Sequence, residues 1–453
     1  MSFESRNPAT GDLIATYPKH DAAGVEARLS RVWDGWKHWS QTSLAQRRSF
    51  LIRLAELLEE RADQYGRLIT AEMGKPLAEA IGEVKKAASG ARHFAEAAET
   101  YLQPQPIAGT PARIIHEPLG PIFGIMPWNL PFWQVLRFFI PSALVGNTVL
   151  VKHAETVQGS AEALEALVQD AGGPNGLYVN LAIGRERAAA VIADPRIRAV
   201  TVTGSVAAGR AVAAEAGRHG KKVVLELGGS DPFIVFDDAD LAKAVQFGIV
   251  SRFSNNAQSC IAAKRFLVAK PLLEAFTTAF TEQAKALPMG DPSEGSVKLG
   301  PLARSDLRDN VDRQVKEAVK AGGRVLTGGE PSPGPGYFYP PTVLVDLPPE
   351  APIALEEFFG PVAMIFSFET EEEAVELANR TEFGLGAAIW SRDLDRANRV
   401  ASQIEAGAVF INDFVRSDPR APFGGTKGSG FGRELGALGA LELANAKLIW
   451  QGG

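Results

Sequence analysis

Between Arg113 and Gly229 the chain alternates short runs of β-branched and aliphatic residues with helical stretches: RIIHEP, PIFGIMP, NTVLVKH, LYVNLAI, RAVTVTGS and KVVLELGG. Several runs are apolar without interruption, the pattern of strands covered on both faces. Their alternation with helices predicts a mostly parallel, doubly wound sheet. After Gly229 a second series follows, DPFIVFDD, RFLVA, the Gly/Pro-rich EPSPGPGYFYPPTVLV and AVFIND, which predicts a second α/β domain. Two domains also fit the size, since 453 residues exceed the roughly 250–300 that one hydrophobic core sustains. From Asp21 to about Thr100 apolar residues recur three and four apart, predicting helices punctuated at Gly74 and Pro76. The segment Leu102–Glu117 and the tail Leu443–Gly453 are expected to pair as edge strands and to offer subunit contacts.

A formal net charge of -6 leaves no basic footprint for nucleic acid. No apolar run reaches the roughly 18 uncharged residues needed to cross a bilayer, and the start lacks a basic-then-apolar leader pattern, so a cytoplasmic protein without a membrane partner is expected. The single cysteine excludes an intramolecular disulfide, and the histidines lack the close spacing of zinc ligands, so no metal site is expected.

That cysteine, Cys260, sits in FSNNAQSCIAAKRFLVA. A lone cysteine is more often an inert, buried small hydrophobe than a nucleophile. Here Ser251, Ser254, Asn255, Asn256, Gln258 and Ser259 make its approach polar, which suits an accessible turn better than a packed core. An ordinary thiol is only a few per cent thiolate at neutral pH, so a nucleophile needs amides, a base or a cation nearby.

Seven segments in order carry a resemblance: Pro127-Trp128-Asn129-Leu130-Pro131, Lys152-His153-Ala154-Glu155, Thr203-Gly204-Ser205, Glu226-Leu227-Gly228-Gly229, Gln258-Ser259-Cys260, Glu357-Phe358-Phe359-Gly360-Pro361-Val362, and Pro422-Phe423-Gly424-Gly425 with Lys427, Ser429, Gly430, Gly432 and Arg433. Together they resemble the aldehyde dehydrogenase superfamily. Within it KHAE, SDPRAPFGG and the short chain resemble the compact succinate-semialdehyde dehydrogenase branch. The resemblance implies a dinucleotide-binding domain from 1–101 and 119–228, a catalytic domain at 229–430, and a small β oligomerisation element from 102–118 and 431–453. It also implies a homodimer or homotetramer.

On this resemblance Cys260 attacks an aldehyde carbon, and Asn129 with the Cys260 N–H stabilises the oxyanion. Glu226 is then the general base that hydrolyses the thioester, and its presence favours a free acid over acyl transfer to coenzyme A. The blander readings are a helix-cap residue for Asn129, ahead of a helix opened by Pro131, and a strand-end charge for Glu226.

No G-x-G-x-x-G or P-loop is present, because Gly204 to Gly209 is followed by Arg210. The strand RAVTVT instead runs through Gly204-Ser205 into a helix whose N-terminus suits a pyrophosphate. By resemblance Met126, Pro127, Trp128 and Leu227 line the coenzyme site, Lys152 and Glu155 hold the adenosine ribose, Glu357 the nicotinamide ribose, and Phe359 borders the nicotinamide. As a bare pair, Lys152 and Glu155 would read as a solvated loop. A carboxylate at the ribose repels a 2′-phosphate, so NAD is expected to be preferred, with NADP possible.

Trp133 and Arg137 lie four apart on one helix face, and Arg137 stands where semialdehyde enzymes of the family carry a carboxylate-binding arginine. Its alternative is a surface arginine on an amphipathic helix. The family's second arginine is Ser254 here, which leaves Arg252, Arg416 or Ser417 as partner candidates, and Phe138 replaces a lysine of the family's proposed proton relay. Trp133, Phe132 and Phe423 would favour other small aliphatic or aromatic aldehydes as the rival substrate class. A non-catalytic dinucleotide-binding or structural protein on the same fold is the alternative of another class.

Overall fold

The computed structural model describes residues 2–452. A hairpin pairs Ser2–Arg6 with Leu13–Pro18. Four helices follow, Ala22–Trp39, Leu44–Glu60, Ala62–Met73 and Leu77–Leu102, filling the stretch expected to be helical. Ser43 and Gln46 form a reciprocal capping box that starts the second of them. Gly74, at φ 82°, ends the third, where a side chain would be strained and would press on Pro301.

These helices cover a five-stranded parallel sheet with the order Tyr178–Asn180, Thr148–Lys152, Pro121–Ile125, Ala199–Thr203, Lys222–Glu226. Every residue of Thr148–Lys152 and Ala199–Thr203 is buried, which accounts for their unbroken apolar runs. Strand order reverses between Pro121–Ile125 and Ala199–Thr203. The crevice outside the carboxyl ends of such strands is where open α/β sheets place ligands. The helix Trp133–Val145, buried along its whole length, lies beneath this crevice. It begins two residues after Pro131, and its N-terminal N–H groups at Phe132 and Trp133 donate to the Glu83 carboxylate rather than to Asn129.

The second sheet has seven strands in the order Arg324–Thr327, Thr342–Val345, Val362–Phe368, Ala263–Ala269, Asp231–Val235, Gly386–Trp390, Ala408–Ile411; only the Arg324–Thr327 edge is antiparallel. The expected pairing of Leu102–Glu117 with the tail is present, and two other fold expectations need correction. The run RIIHEP belongs to neither large sheet: Ala112–Pro118 pairs antiparallel with Ala444–Trp450 on one side and Gln105–Pro106 on the other. Residues 431–443 do not join that small sheet. Phe431 O accepts from Leu225 N at 2.9 Å, and Gly436–Glu442 packs on Trp133–Val145, so this stretch returns to the first sheet and only the last strand leaves it. On this stretch the buried Glu434 is ion-paired with Arg137 of that helix. No helix among the described residues is long and apolar enough to cross a membrane.

Candidate active site

Cys260 follows a turn in which Asn255, Asn256 and Ala257 all have left-handed φ, between 54° and 59°. Asparagine tolerates that region better than most residues, but three in succession hold only when the surroundings over-determine them. They do here. Asn256 Nδ2 donates to Gly74 O at 2.7 Å and Pro301 O at 2.8 Å, while its Oδ1 accepts from Gly300 N. Asn255 N donates to Glu79 Oε2 at 2.6 Å, and Gln258 Oε1 accepts from Ala303 N. The fully buried Arg252 donates to Ala257 O and Phe358 O. Most of the polar residues expected to mark an accessible turn are thus a buried scaffold, with Asn255, Asn256 and Gln258 nearly inaccessible, while Ser254, Ser259 and Cys260 reach partial exposure. Burial pushes the thiol up to about 12; Lys264 and Arg137 pull it down, and Glu357 and Glu226 push it further up.

Asn129 is buried, and its Nδ2 donates to Gln258 O at 2.9 Å, which ties the loop after the first central strand to the cysteine turn. Glu226 closes the strand Lys222–Glu226 with 2% exposure, and neither carboxylate oxygen has a hydrogen-bond partner among the described residues. Burial and then the neighbouring Glu434 hold its carboxyl well above the ordinary range, against Arg137 and Arg433.

A cavity of about 390 Å³ brings together Pro127, Trp128, Asn129, Gly204, Ser205, Glu226, Leu227, Cys260, Glu357 and Phe359, with Thr203, Gly228, Gln134, Arg304 and Leu307 completing its wall. The first ten are residues singled out from the sequence. Ser205 caps the helix Val206–Arg218 by accepting from Ala208 N, so the helix N-terminus opens on the cavity. Glu357 Oε1 accepts from Gly229 N at 3.1 Å, and a Cβ on Gly228 would fall 2.3 Å from its other oxygen, so a side chain there would displace that carboxylate. Phe359 packs edge-on against Trp128. Lys152 ends a neighbouring strand, its carbonyl accepting from Met126 N at 3.0 Å, and Glu155 is exposed just beyond; neither lines the cavity itself. The buried hydroxyl of Thr203 has no partner among the described residues, and with the helix N-terminus and the Glu357 carboxylate it fits the phosphate and ribose groups of a dinucleotide.

On the substrate side the picture departs from expectation. Arg137 is buried, ion-paired through Nε with Glu434, and its guanidinium carbon lies 4.5 Å from the Phe423 ring centre, so its charge is shared with Glu434. A buried guanidinium needs such a partner. Arg416 points away, to Asp413 at 2.7 Å, and Ser254 donates to Val250 O outside the site. Arg252 is spent on backbone carbonyls. Ser417 accepts from Trp133 Nε1 at 3.1 Å and from Lys86 Nζ at 2.7 Å; it does not line the cavity. Lys86, on the helix Leu77–Leu102, was not singled out from sequence, since a lysine on an alanine-rich helix reads as solvated. Its ammonium lies 4.8 Å from the Trp133 ring centre, and burial, then Arg137, lowers it to about 8 against Glu83 and Asp418.

The family model described as Aldehyde dehydrogenase family matches residues 1–449. Over 449 residues the chain is 45% identical to a protein of Deinococcus radiodurans named succinate-semialdehyde dehydrogenase for NADP(+), covering 99% of this chain and 94% of that one. It is 44% identical, over 99% of this chain and 97% of the relative, to a protein of Escherichia coli named succinate semialdehyde dehydrogenase for NAD(P)+. The crystal structure of succinic semialdehyde dehydrogenase from Streptococcus pyogenes with NADP+ superposes with a TM-score of 0.97 at 36% identity over 100% of both chains. The chain therefore belongs to the aldehyde dehydrogenase family and is an oxidoreductase of aldehydes.

Proposed function

We propose that the chain oxidises succinate semialdehyde to succinate with a nicotinamide dinucleotide, Cys260 acting as nucleophile, Asn129 as oxyanion donor and Glu226 as base. Cys260 sulfur bonds the aldehyde carbon, and the charge developing on oxygen is met by the Asn129 amide and the Cys260 N–H. The coenzyme, when bound, accepts hydride. The acyl group left on Cys260 is a thioester, and Glu226 takes a proton from the water that attacks it, releasing the acid and the thiol. Gly204, Ser205, Leu227, Glu357 and Phe359 would hold the coenzyme on the other side of Cys260.

What supports the substrate assignment is the group of Lys86, Ser417 and Trp133: a cation, a hydroxyl and an indole N–H in mutual contact, with Arg137 close enough to act on Lys86. Lys86 supplies the charge that Arg137, held by Glu434, does not offer freely. A charged hydrogen bond contributes about 1.5–3 kcal/mol, so Lys86→Met should raise KM for succinate semialdehyde roughly 10- to 100-fold. KM for butanal should stay within about twofold, because butanal has no second carboxylate. NADH absorbance with a panel of aldehydes tests the assignment, and equal effects on both substrates would remove it.

The expected preference for NAD draws no support from the relatives, whose names carry NADP(+) or NAD(P)+. We infer that both coenzymes are accepted: exposed Glu155 suits a ribose diol, while Lys152, lowered by burial with the nearby Glu155 opposing, suits a 2′-phosphate. Comparison of kcat/KM should place the two within about tenfold, and a difference of about 10³-fold would overturn the inference. Ala444–Trp450, an edge strand with Leu448 and Trp450 exposed, is the proposed contact of a homodimer or homotetramer; a monomeric mass in light scattering would refute it. A cytoplasmic setting suits an enzyme whose single thiol must stay reduced.

A further inference from the structure

One buried cation has no part in the chemistry so far. Lys264 is wholly inaccessible, on the strand Ala263–Ala269, in which every residue is buried. Its Nζ donates to Ser259 O at 2.9 Å and to Cys260 O at 2.7 Å, and lies 3.5 Å from Glu357 Oε1. A charge taken out of water in this way is retained only where its partners compensate it. Its partners here are the two carbonyls that flank the nucleophile and a carboxylate in the coenzyme cavity.

The geometry has two consequences. In a trans peptide the C=O and the following N–H point in opposite directions. By holding Ser259 O, Lys264 fixes the Cys260 N–H away from itself, and that N–H has no protein acceptor among the described residues. A cation on the carbonyl also polarises the amide and strengthens its N–H as a donor. The second consequence concerns sulfur. Lys264 and Arg137 are the cations facing Cys260, and Glu357 and Glu226 the carboxylates. Lys264 itself is faced by Glu357, Asp231, Arg252 and Cys260. The ammonium is therefore shared between a carboxylate on the coenzyme side and the thiol.

We propose that Lys264 is a positioning residue that aims the Cys260 N–H as oxyanion donor and couples the Glu357 carboxylate to the reactivity of the Cys260 thiol. When ribose hydroxyls engage Glu357, its hold on the ammonium weakens and more of that charge acts on sulfur, so the thiol is most nucleophilic when coenzyme is present. This rests on the reading of Glu357 as the ribose ligand and of Cys260 as nucleophile.

The test is the rate of Cys260 alkylation by iodoacetamide as a function of pH, with and without NAD+, which requires no turnover. In Lys264→Met the thiol should titrate at higher pH, alkylation at neutral pH should slow about tenfold or more, and the acceleration by NAD+ should vanish. Aldehyde turnover should lose kcat with KM nearly unchanged, the mark of a donor that acts only in the transition state. In coenzyme-free Glu357→Gln, removal of the negative partner should shift the thiol titration to lower pH. A folded Lys264→Met with the wild-type alkylation profile overturns the proposal. If Lys264→Met does not fold, Glu357→Gln decides: a downward shift supports the coupling, and an unchanged or raised titration overturns it. Absence of aldehyde turnover in the wild-type protein would instead sink the proposed function and leave the alkylation result standing.

Discussion

Cys260→Ser should lower aldehyde oxidation by roughly 10⁴-fold or more while leaving coenzyme binding intact. The argument rests on the site's construction. An unusually rigid turn, with three consecutive left-handed residues, exists to deliver one side chain to the cavity, and a buried amide network holds the turn whether or not sulfur is present. Serine preserves the volume and the backbone, so NAD+ should raise Tm of the variant and of the wild type alike. What is lost is nucleophilicity, because a hydroxyl ionises less readily than a thiol in the same place and no side chain among the described residues hydrogen-bonds this position as a base. Initial rates of NADH formation and a thermal-shift titration read the two effects separately. Turnover within about tenfold of wild type would mean that no covalent step passes through this residue.

How far the sequence reached this site depends on what each residue needed in order to be seen. Thr148–Lys152 and Ala199–Thr203 were legible because burial on both faces demands apolar residues at every position. Gly386–Trp390 was not. Its Gly-Ala-Ala start has little strand propensity, and only its neighbours Asp231–Val235 and Ala408–Ile411 make it a strand. Cavity residues such as Asn129, Glu226, Cys260 and Glu357 were found through motif resemblance, and the order of the two sheets brings them to one crevice. Lys86 and Glu434 carry no local signal, and Lys264 carries only a slight one. Each is a charge whose meaning lies in a partner far away in the chain: Ser417 for Lys86, Glu357 for Lys264, Arg137 for Glu434. The one available hint was Lys264-Arg265, two cations inside an otherwise apolar strand. Both prove to be wholly or almost wholly buried, with Arg265 donating to Ser230 O, Leu377 O and Ala378 O.

Glu226→Gln should separate the two halves of the reaction. Bond formation to Cys260 and oxidation need the thiol and the oxyanion donors, whereas release of the acid needs a base at the thioester. The variant should therefore give a burst of one NADH per site and then turn over roughly 10²- to 10⁴-fold more slowly than wild type, with the acyl group trapped on Cys260 and visible by intact mass. The pH dependence follows from the burial of this carboxylate. Desolvation first, and then Glu434, raise Glu226, while Arg137 and Arg433 oppose them. A base whose ionisation is raised is lost as pH falls through that raised value, so deacylation should decline at a pH where an ordinary carboxylate would still be ionised. Arg137→Leu removes one opposing cation and leaves Glu434 without its buried partner. Its acid limb should move to still higher pH, and its Tm should fall because a buried charge is left uncompensated. A Glu226→Gln enzyme with steady turnover and no burst would place the base elsewhere, and an Arg137→Leu profile shifted to lower pH would contradict the electrostatic arrangement of Arg137, Glu434 and Glu226.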